Sequence, residues 1–127
     1  RMSMNFGQVL AELDRRPQAP DNLHLLSISF DPHYDTPKTL ERYGKAFDYD
    51  ASRWSFATGA LIELDALTEQ FGLNYWREEG TLNFNHNLRT VILDTNSRIH
   101  HLIVGNTWTP RDLADKLVEA SKVPVQQ

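Results

Sequence analysis

Apolar residues along the chain form helical stripes separated by extended runs. Phe6, Val9, Leu10 and Leu13 stand at i, i+3, i+4 and i+7, one face of a helix over about residues 3–15, with Ser3 or Asn5 available as N-cap. Arg15 and Arg16 suit its C-terminal end, where the helix dipole favours positive charge, and Pro17 and Pro20 mark a loop. Leu23 to Phe30 is apolar on both faces: Leu26, Ile28 and Phe30 share one side, and Leu23, Leu25, Ser27 and Ser29 the other. Such a strand after a helix predicts a parallel sheet covered on both sides. His24, within it, is expected to be hydrogen-bonded beneath a helix.

The strand stops at Asp31-Pro32, and Thr36-Pro37 opens the next helix as cap and N1 proline. That helix runs to about Phe47, with Leu40, Tyr43, Ala46 and Phe47 facing inward. Gly44 weakens it by ~1 kcal/mol relative to alanine, so a close packing neighbour is expected there. Trp54–Ala57 reads as a short strand and Thr58-Gly59 as a turn. Leu61, Leu64, Leu67 and Phe71 make a helical face that Gly72 ends in the C′ position. Leu73–Trp76 is a brief extended piece, and residues of about 77–85, with Glu78, Glu79 and Gly80, read as an exposed loop or hairpin.

Leu88–Leu93 and Ile99–Val104 flank the turn residues Asp94-Thr95-Asn96-Ser97, which predicts an antiparallel hairpin ended by Gly105. Thr109-Pro110-Arg111-Asp112 opens the last helix with a capping box. Leu113, Leu117 and Val118 form its buried stripe, joined by Ala114 and Ala120, and the tail after Lys122 is expected to fray.

The order α-β-α-β-α-(β)-β-β-α is that of an α/β, thioredoxin-like fold: three α/β/α layers about a central mixed sheet, here without the first core strand. Residues 1–127 read as a single domain of that kind, N-terminally incomplete. Without that strand, the extended runs at 23–30 and 88–93 have no neighbour between them. Their unpaired ladder groups predict that an upstream strand, a swapped segment or a partner chain fills the slot.

Composition narrows the chemistry. The net charge of −4, with no cluster of lysine and arginine, argues against a nucleic-acid surface. No apolar run reaches the ~18 residues a membrane helix needs. Cysteine is absent, so this chain has no disulfide, thiol nucleophile or thiolate metal site of its own. Neither a Gly-x-Ser-x-Gly elbow, a GxGxxG fingerprint nor a P-loop is present. Arg1 in place of a starting methionine, with Met2 already in the helical pattern, predicts a start internal to a longer protein.

The stretch Leu25 to Pro37 (LLSISFDPHYDTP) closely resembles the SCO/SenC family, whose members carry a strand ending in S-I-x-D-P, then two residues, then D-T. Trp54-Ser55-Phe56-Ala57-Thr58-Gly59, Phe71-Gly72-Leu73, His86 before Leu88–Asp94, and Trp108-Thr109-Pro110 resemble later landmarks in the family's order. The resemblance spans about residues 1–120. It implies a copper-binding thioredoxin-like domain that helps build the binuclear copper centre of cytochrome c oxidase, or reduces the thiols of that centre. It also implies as partners the copper-bearing oxidase subunit or other copper and thiol proteins. The implied setting is the periplasm or the mitochondrial intermembrane space, with a membrane anchor in the full-length protein. Family members hold copper with the cysteines of a C-x-x-x-C-P motif and one distant histidine. Arg1 to Phe6 resembles the family's residues directly after that motif, so of the three ligands only His86 carries over by position.

One imidazole does not hold copper alone, and the thiolates that select Cu(I) are missing. This chain by itself is therefore expected to bind copper negligibly. Asp31 and Asp35 could tune a nearby thiol or meet a partner, although turn and capping chemistry accounts for both. His33 between them is expected to be exposed. His100 and His101 point to opposite faces of a strand and cannot chelate one ion; one exposed and one packed is the expectation. Met2 and Met4 are soft donors but do not share a helix face, so core or partner contact suits them better. Trp54 and Trp108 read as packing residues and Trp76 as a partner contact. Two other functions compete with copper delivery: a thioredoxin-like thiol–disulfide oxidoreductase, and a cysteine-free interaction module.

Overall fold

The computed structural model describes residues 2–46, 49–72, 75–77, 84–86, 89–105 and 107–126, with side chains over 5–46, 49–72, 89–105 and 107–126. Among the described residues the elements run α1 (Met2–Asp14), β1 (Leu25–Ile28), α2 (Pro37–Ala46), β2 (Trp54–Ala57), α3 (Leu61–Gln70), β3 (Tyr75–Arg77), β4 (Phe84–His86), β5 (Arg89–Leu93), β6 (Ile99–Val104) and α4 (Pro110–Ser121). They group into two units, Asp21–Gly72 and Arg1–Pro20 with Leu73–Gln127.

In the unit Asp21–Gly72, β1 and β2 pair in parallel with Leu25 opposite Trp54 and Ile28 opposite Ala57. The ladder continues at both ends, where Leu25 N–H donates to Arg53 O at 2.7 Å and Ser29 N–H to Ala57 O at 2.8 Å. Trp54, 2% exposed, is the centre of this unit's core. Its ring lies 4.9 Å from that of Phe56 and 6.2 Å from that of Tyr49, and its Nε1–H donates to Ser27 Oγ at 3.0 Å. Burying the indole therefore strands no donor.

Gly44 is the buried residue of α2. A Cβ there would stand 2.6 Å from Cε1 of Tyr49, so the glycine admits the Tyr49 ring against the helix. The expected inward face of α2 is only partly realised. Leu40 is half-buried, Tyr43 and Ala46 are exposed, and Phe47 lies outside the described residues. On α3, Leu64 is buried while Leu61 is 60% exposed. The two strands span four residues each, too little sheet to cover every turn of a ten-residue helix. Nor is β1 covered on both faces as expected. Leu25 is buried, but Leu26 is 52% and Ile28 42% exposed. His24 bonds Ser55 Oγ at 2.8 Å, yet it is exposed rather than covered. Gly72 takes φ 68°, the left-handed conformation anticipated for its C′ position.

In the other unit, Val9, Leu10 and Leu13 of α1 are buried and pack with α4, which contributes Leu113, Ala114 and Ala120. Phe6 brings its ring 6.0 Å from that of Trp108. Arg16 joins the two helices through Asp115 Oδ1 at 2.6 Å and also meets Glu12 at 3.3 Å. The hydrogen bond to Asp115 raises the Arg16 pKa above its usual value. The helix α1 starts at Met2, so Ser3 and Asn5 fall in its first turn rather than capping it. The capping box of α4 forms as expected, with Asp112 N–H donating to Thr109 Oγ1 at 3.1 Å and Thr109 N–H to Asp112 Oδ2 at 3.2 Å. Hydrogen bonds to its carboxylate from the Thr109 hydroxyl and backbone N–H lower the Asp112 pKa.

β5 and β6 form the expected antiparallel hairpin, with β5 first described from Arg89 and Leu88 outside the described residues. Asp94 Oδ1 accepts from Asn96 N–H at 2.8 Å and Arg98 N–H at 3.1 Å, which closes the turn. Thr90 and Ile92 are buried on one face. The opposite face carries Leu93, Ile99, Leu102 and Val104, all exposed. Beyond Lys122, where fraying is expected, Val123, Pro124 and Gln126 are hydrogen-bonded to the hairpin turn.

Candidate functional site

The turn after β1 is built from its own polar side chains. Ser29 Oγ donates to Asp35 Oδ2 at 2.5 Å and accepts from Asp31 N–H at 3.2 Å. Asp31 Oδ1 accepts from Tyr34 N–H at 3.4 Å, and Asp35 N–H donates to Asp31 O at 2.8 Å. Thr58 at the end of β2 donates its hydroxyl to Ser29 O at 2.9 Å, fastening the turn to the neighbouring strand. Thr36 then caps α2, its Oγ1 accepting from Thr39 N–H at 3.3 Å, with Pro37 as the first helical residue. Asp31 and Asp35 are thus half-buried and engaged in turn geometry, while His33 and Tyr34 stand exposed. Ser29 is the organiser that inspection of the carboxylates misses. The signal for it was present: a serine placed where a strand ends, two residues before the Asp31-Pro32 pair.

His86 is the last residue of β4, which pairs antiparallel with β3 so that His86 lies opposite Tyr75 and Trp76 opposite Asn85. The histidine therefore belongs to a strand, not to the loop leading into the next one. The side chains of His86, Trp76, Met2 and Met4 lie outside the described residues.

Among the described residues no group of three or more His, Cys, Asp or Glu side chains could hold a metal ion, and the chain has no cysteine. The described residues by themselves do not offer a copper site. His100 is half-buried and His101 exposed. The register jumps from His101 opposite Ile92 to Ile99 opposite Leu93, so a bulge takes up His100. Among the described residues, the buried atoms Thr90 Oγ1 and Trp108 Nε1 have no hydrogen-bond partner. No helix of the described residues is long and apolar enough to cross a membrane.

The parallel βαβ unit, the antiparallel hairpin and the closing helix define a mixed α/β protein, and solved structures place it in the thioredoxin-like class. The chain is similar to a SCO1/SenC family lipoprotein from Bacillus anthracis str. Ames, with a TM-score of 0.80 and 19% identity over 95% of this chain and 71% of that one. Copper-bound ScoI from Arabidopsis thaliana gives a TM-score of 0.76 and 17% identity over 92% of this chain and 70% of that one. A putative electron transfer protein from Aquifex aeolicus VF5 gives 0.74 and 20% over 94% and 68%. No curated protein matches the sequence. A model of the SCO1/SenC family matches residues 2–122, and the chain belongs to that family.

Proposed function

We propose that residues 1–127 are the bulk of one copper-chaperone domain, with copper as its cargo and His86 as the one metal ligand this chain contributes. The observation that carries the proposal is the family match over residues 2–122, together with copper in the related Arabidopsis thaliana structure. In this reading the two sulfur ligands stand on a strand that this chain does not contain. Two features support an absent piece of structure. β1 pairs with β2 alone and β5 with β6 alone among the described residues. Thr90 Oγ1 and Trp108 Nε1 are buried without the partners that buried polar groups ordinarily have.

Delivery is to a copper protein such as the copper-bearing subunit of cytochrome c oxidase, or takes the form of thiol reduction at that centre. In this reading Asp31, Asp35, Met2, Met4 and Trp76 are candidate contacts of the site or of the partner. The setting is periplasmic or of the mitochondrial intermembrane space, with a membrane anchor in the full-length protein; a related family member is a lipoprotein.

The absence of cysteine favours one other reading, a thioredoxin-like module that binds a partner and carries no copper. Reading the codons upstream of Arg1 and titrating Cu(I) into the encoded protein separates the two. A Cys-x-x-x-Cys-Pro motif with one tightly bound copper supports the chaperone. No such motif and no copper binding would leave the interaction module.

A further inference from the structure

The last described residues form an arrangement that neither the fold nor the candidate site accounts for. Beyond α4, Thr95 Oγ1 donates to Val123 O at 3.2 Å. Asn96 Nδ2 donates to Pro124 O at 3.0 Å, and Asn96 Oδ1 accepts from Gln126 N–H at 2.8 Å. One side-chain amide thus engages the carbonyl of one residue and the N–H of the residue two further on. A strand residue bonds a parallel neighbour in the same pattern, so Asn96 stands in for a one-residue ladder.

The turn that presents this amide is fixed without the tail. Asp94 Oδ1 holds the N–H groups of Asn96 and Arg98, Asp94 N–H donates to Arg98 O at 2.9 Å, and Ser97 takes φ 60°. Little apolar burial reinforces the tail, since Pro124, Val125 and Gln126 are exposed, Val125 by 69%. Exposed hydrogen bonds return a net free energy comparable with the backbone entropy lost in ordering a few residues. Closed and open states of the tail therefore lie close in free energy.

We infer that Thr95 and Asn96 are a latch and residues 123–126 a strap, which opens and closes while the β5–β6 hairpin and α4 stay folded. Amide hydrogen exchange by NMR on the whole chain tests this. In the parent, the Gln126 amide exchanges several-fold more slowly than an unstructured amide. Asn96→Ala returns it to the unstructured rate and leaves Arg98, held by Asp94, protected. Asn96→Asp keeps an acceptor for Gln126 N–H but loses the donor to Pro124 O, and gives a partial loss. An unprotected Gln126 in the parent, or protection unchanged in Asn96→Ala, overturns the latch. Should Asn96→Ala also expose Arg98, Asn96→Asp decides: the latch then stands only if that variant lowers Gln126 protection with Arg98 intact.

Discussion

Ser29 Oγ and Asp35 Oδ2 lie 2.5 Å apart across the turn after β1. The same hydroxyl receives Asp31 N–H, so one serine holds both carboxylate-bearing ends of the D-P-x-x-D segment. Ser29→Ala removes both bonds and leaves the half-buried Asp35 oxygen without its donor. The expected cost is about 1–2 kcal/mol of stability, seen in urea unfolding as a lower midpoint at unchanged slope. Asp31 and Asp35 act here through the turn. Ser29→Ala in the intact protein should therefore leave copper affinity within twofold of the parent. A tenfold loss would give the carboxylates a direct role at the metal.

Thr90 is 6% exposed and its hydroxyl has no partner among the described residues. A buried hydroxyl without a hydrogen bond is a net cost, and valine fills the same volume without it. Thr90→Val should therefore stabilise this 127-residue chain by about 1 kcal/mol, measured by thermal or urea unfolding. In an intact protein whose added strand supplies a partner, the sign reverses. Destabilisation of the short chain would show that Thr90 is already satisfied and would remove one support for the missing strand.

Acid should weaken the fold through two exposed carboxylates. Hydrogen bonds from Ser52, with Arg53 beside it, lower the Asp50 pKa, and Thr109 lowers that of Asp112, both from an ordinary value of 3.8. A depressed folded-state pKa means that the unfolded chain binds the proton more tightly. The stabilisation is complete above the unfolded value and is lost as pH falls through the folded one. Unfolding midpoints should drop below about pH 4, and the Asp50→Asn, Asp112→Asn double variant should show a shallower fall. Parallel curves for the variant and the parent would contradict this assignment.

Features set by local chemistry were legible in the sequence. Thr109 and Asp112 close their capping box, Thr36 caps α2, Gly72 turns left-handed, and Asp94–Ser97 makes the hairpin turn. The parallel pairing of β1 with β2 was expected from a run apolar on both faces after a helix, and it forms although Leu26 and Ile28 are exposed. Features set by what covers a surface were not legible. Periodicity marks Leu26, Ile28 and Leu61 as apolar but does not reveal whether anything lies over them. β4 was legible only as the hairpin alternative to a loop over about residues 77–85, because Asn83-Phe84-Asn85-His86-Asn87 offers one apolar residue among polar ones; its antiparallel pairing with β3 favours the hairpin. The tail looked free because the amide that holds it, Asn96, is about 30 residues away along the chain. For the site, the sequence offers one proposed ligand position, His86. A histidine at the end of a short hairpin marks where a ligand can stand, while the sulfurs that would define the metal are not encoded in this chain.

The most direct measurement is a Cu(I) competition titration on three proteins: this chain, a version extended at its N-terminus by a Cys-x-x-x-Cys-Pro motif and its strand, and the His86→Ala variant of that extended version. The account predicts negligible affinity for the first, one tightly held copper for the second, and at least a tenfold weaker site for the third, about 1.4 kcal/mol or more. Equal copper affinity with and without the His86 imidazole would contradict it.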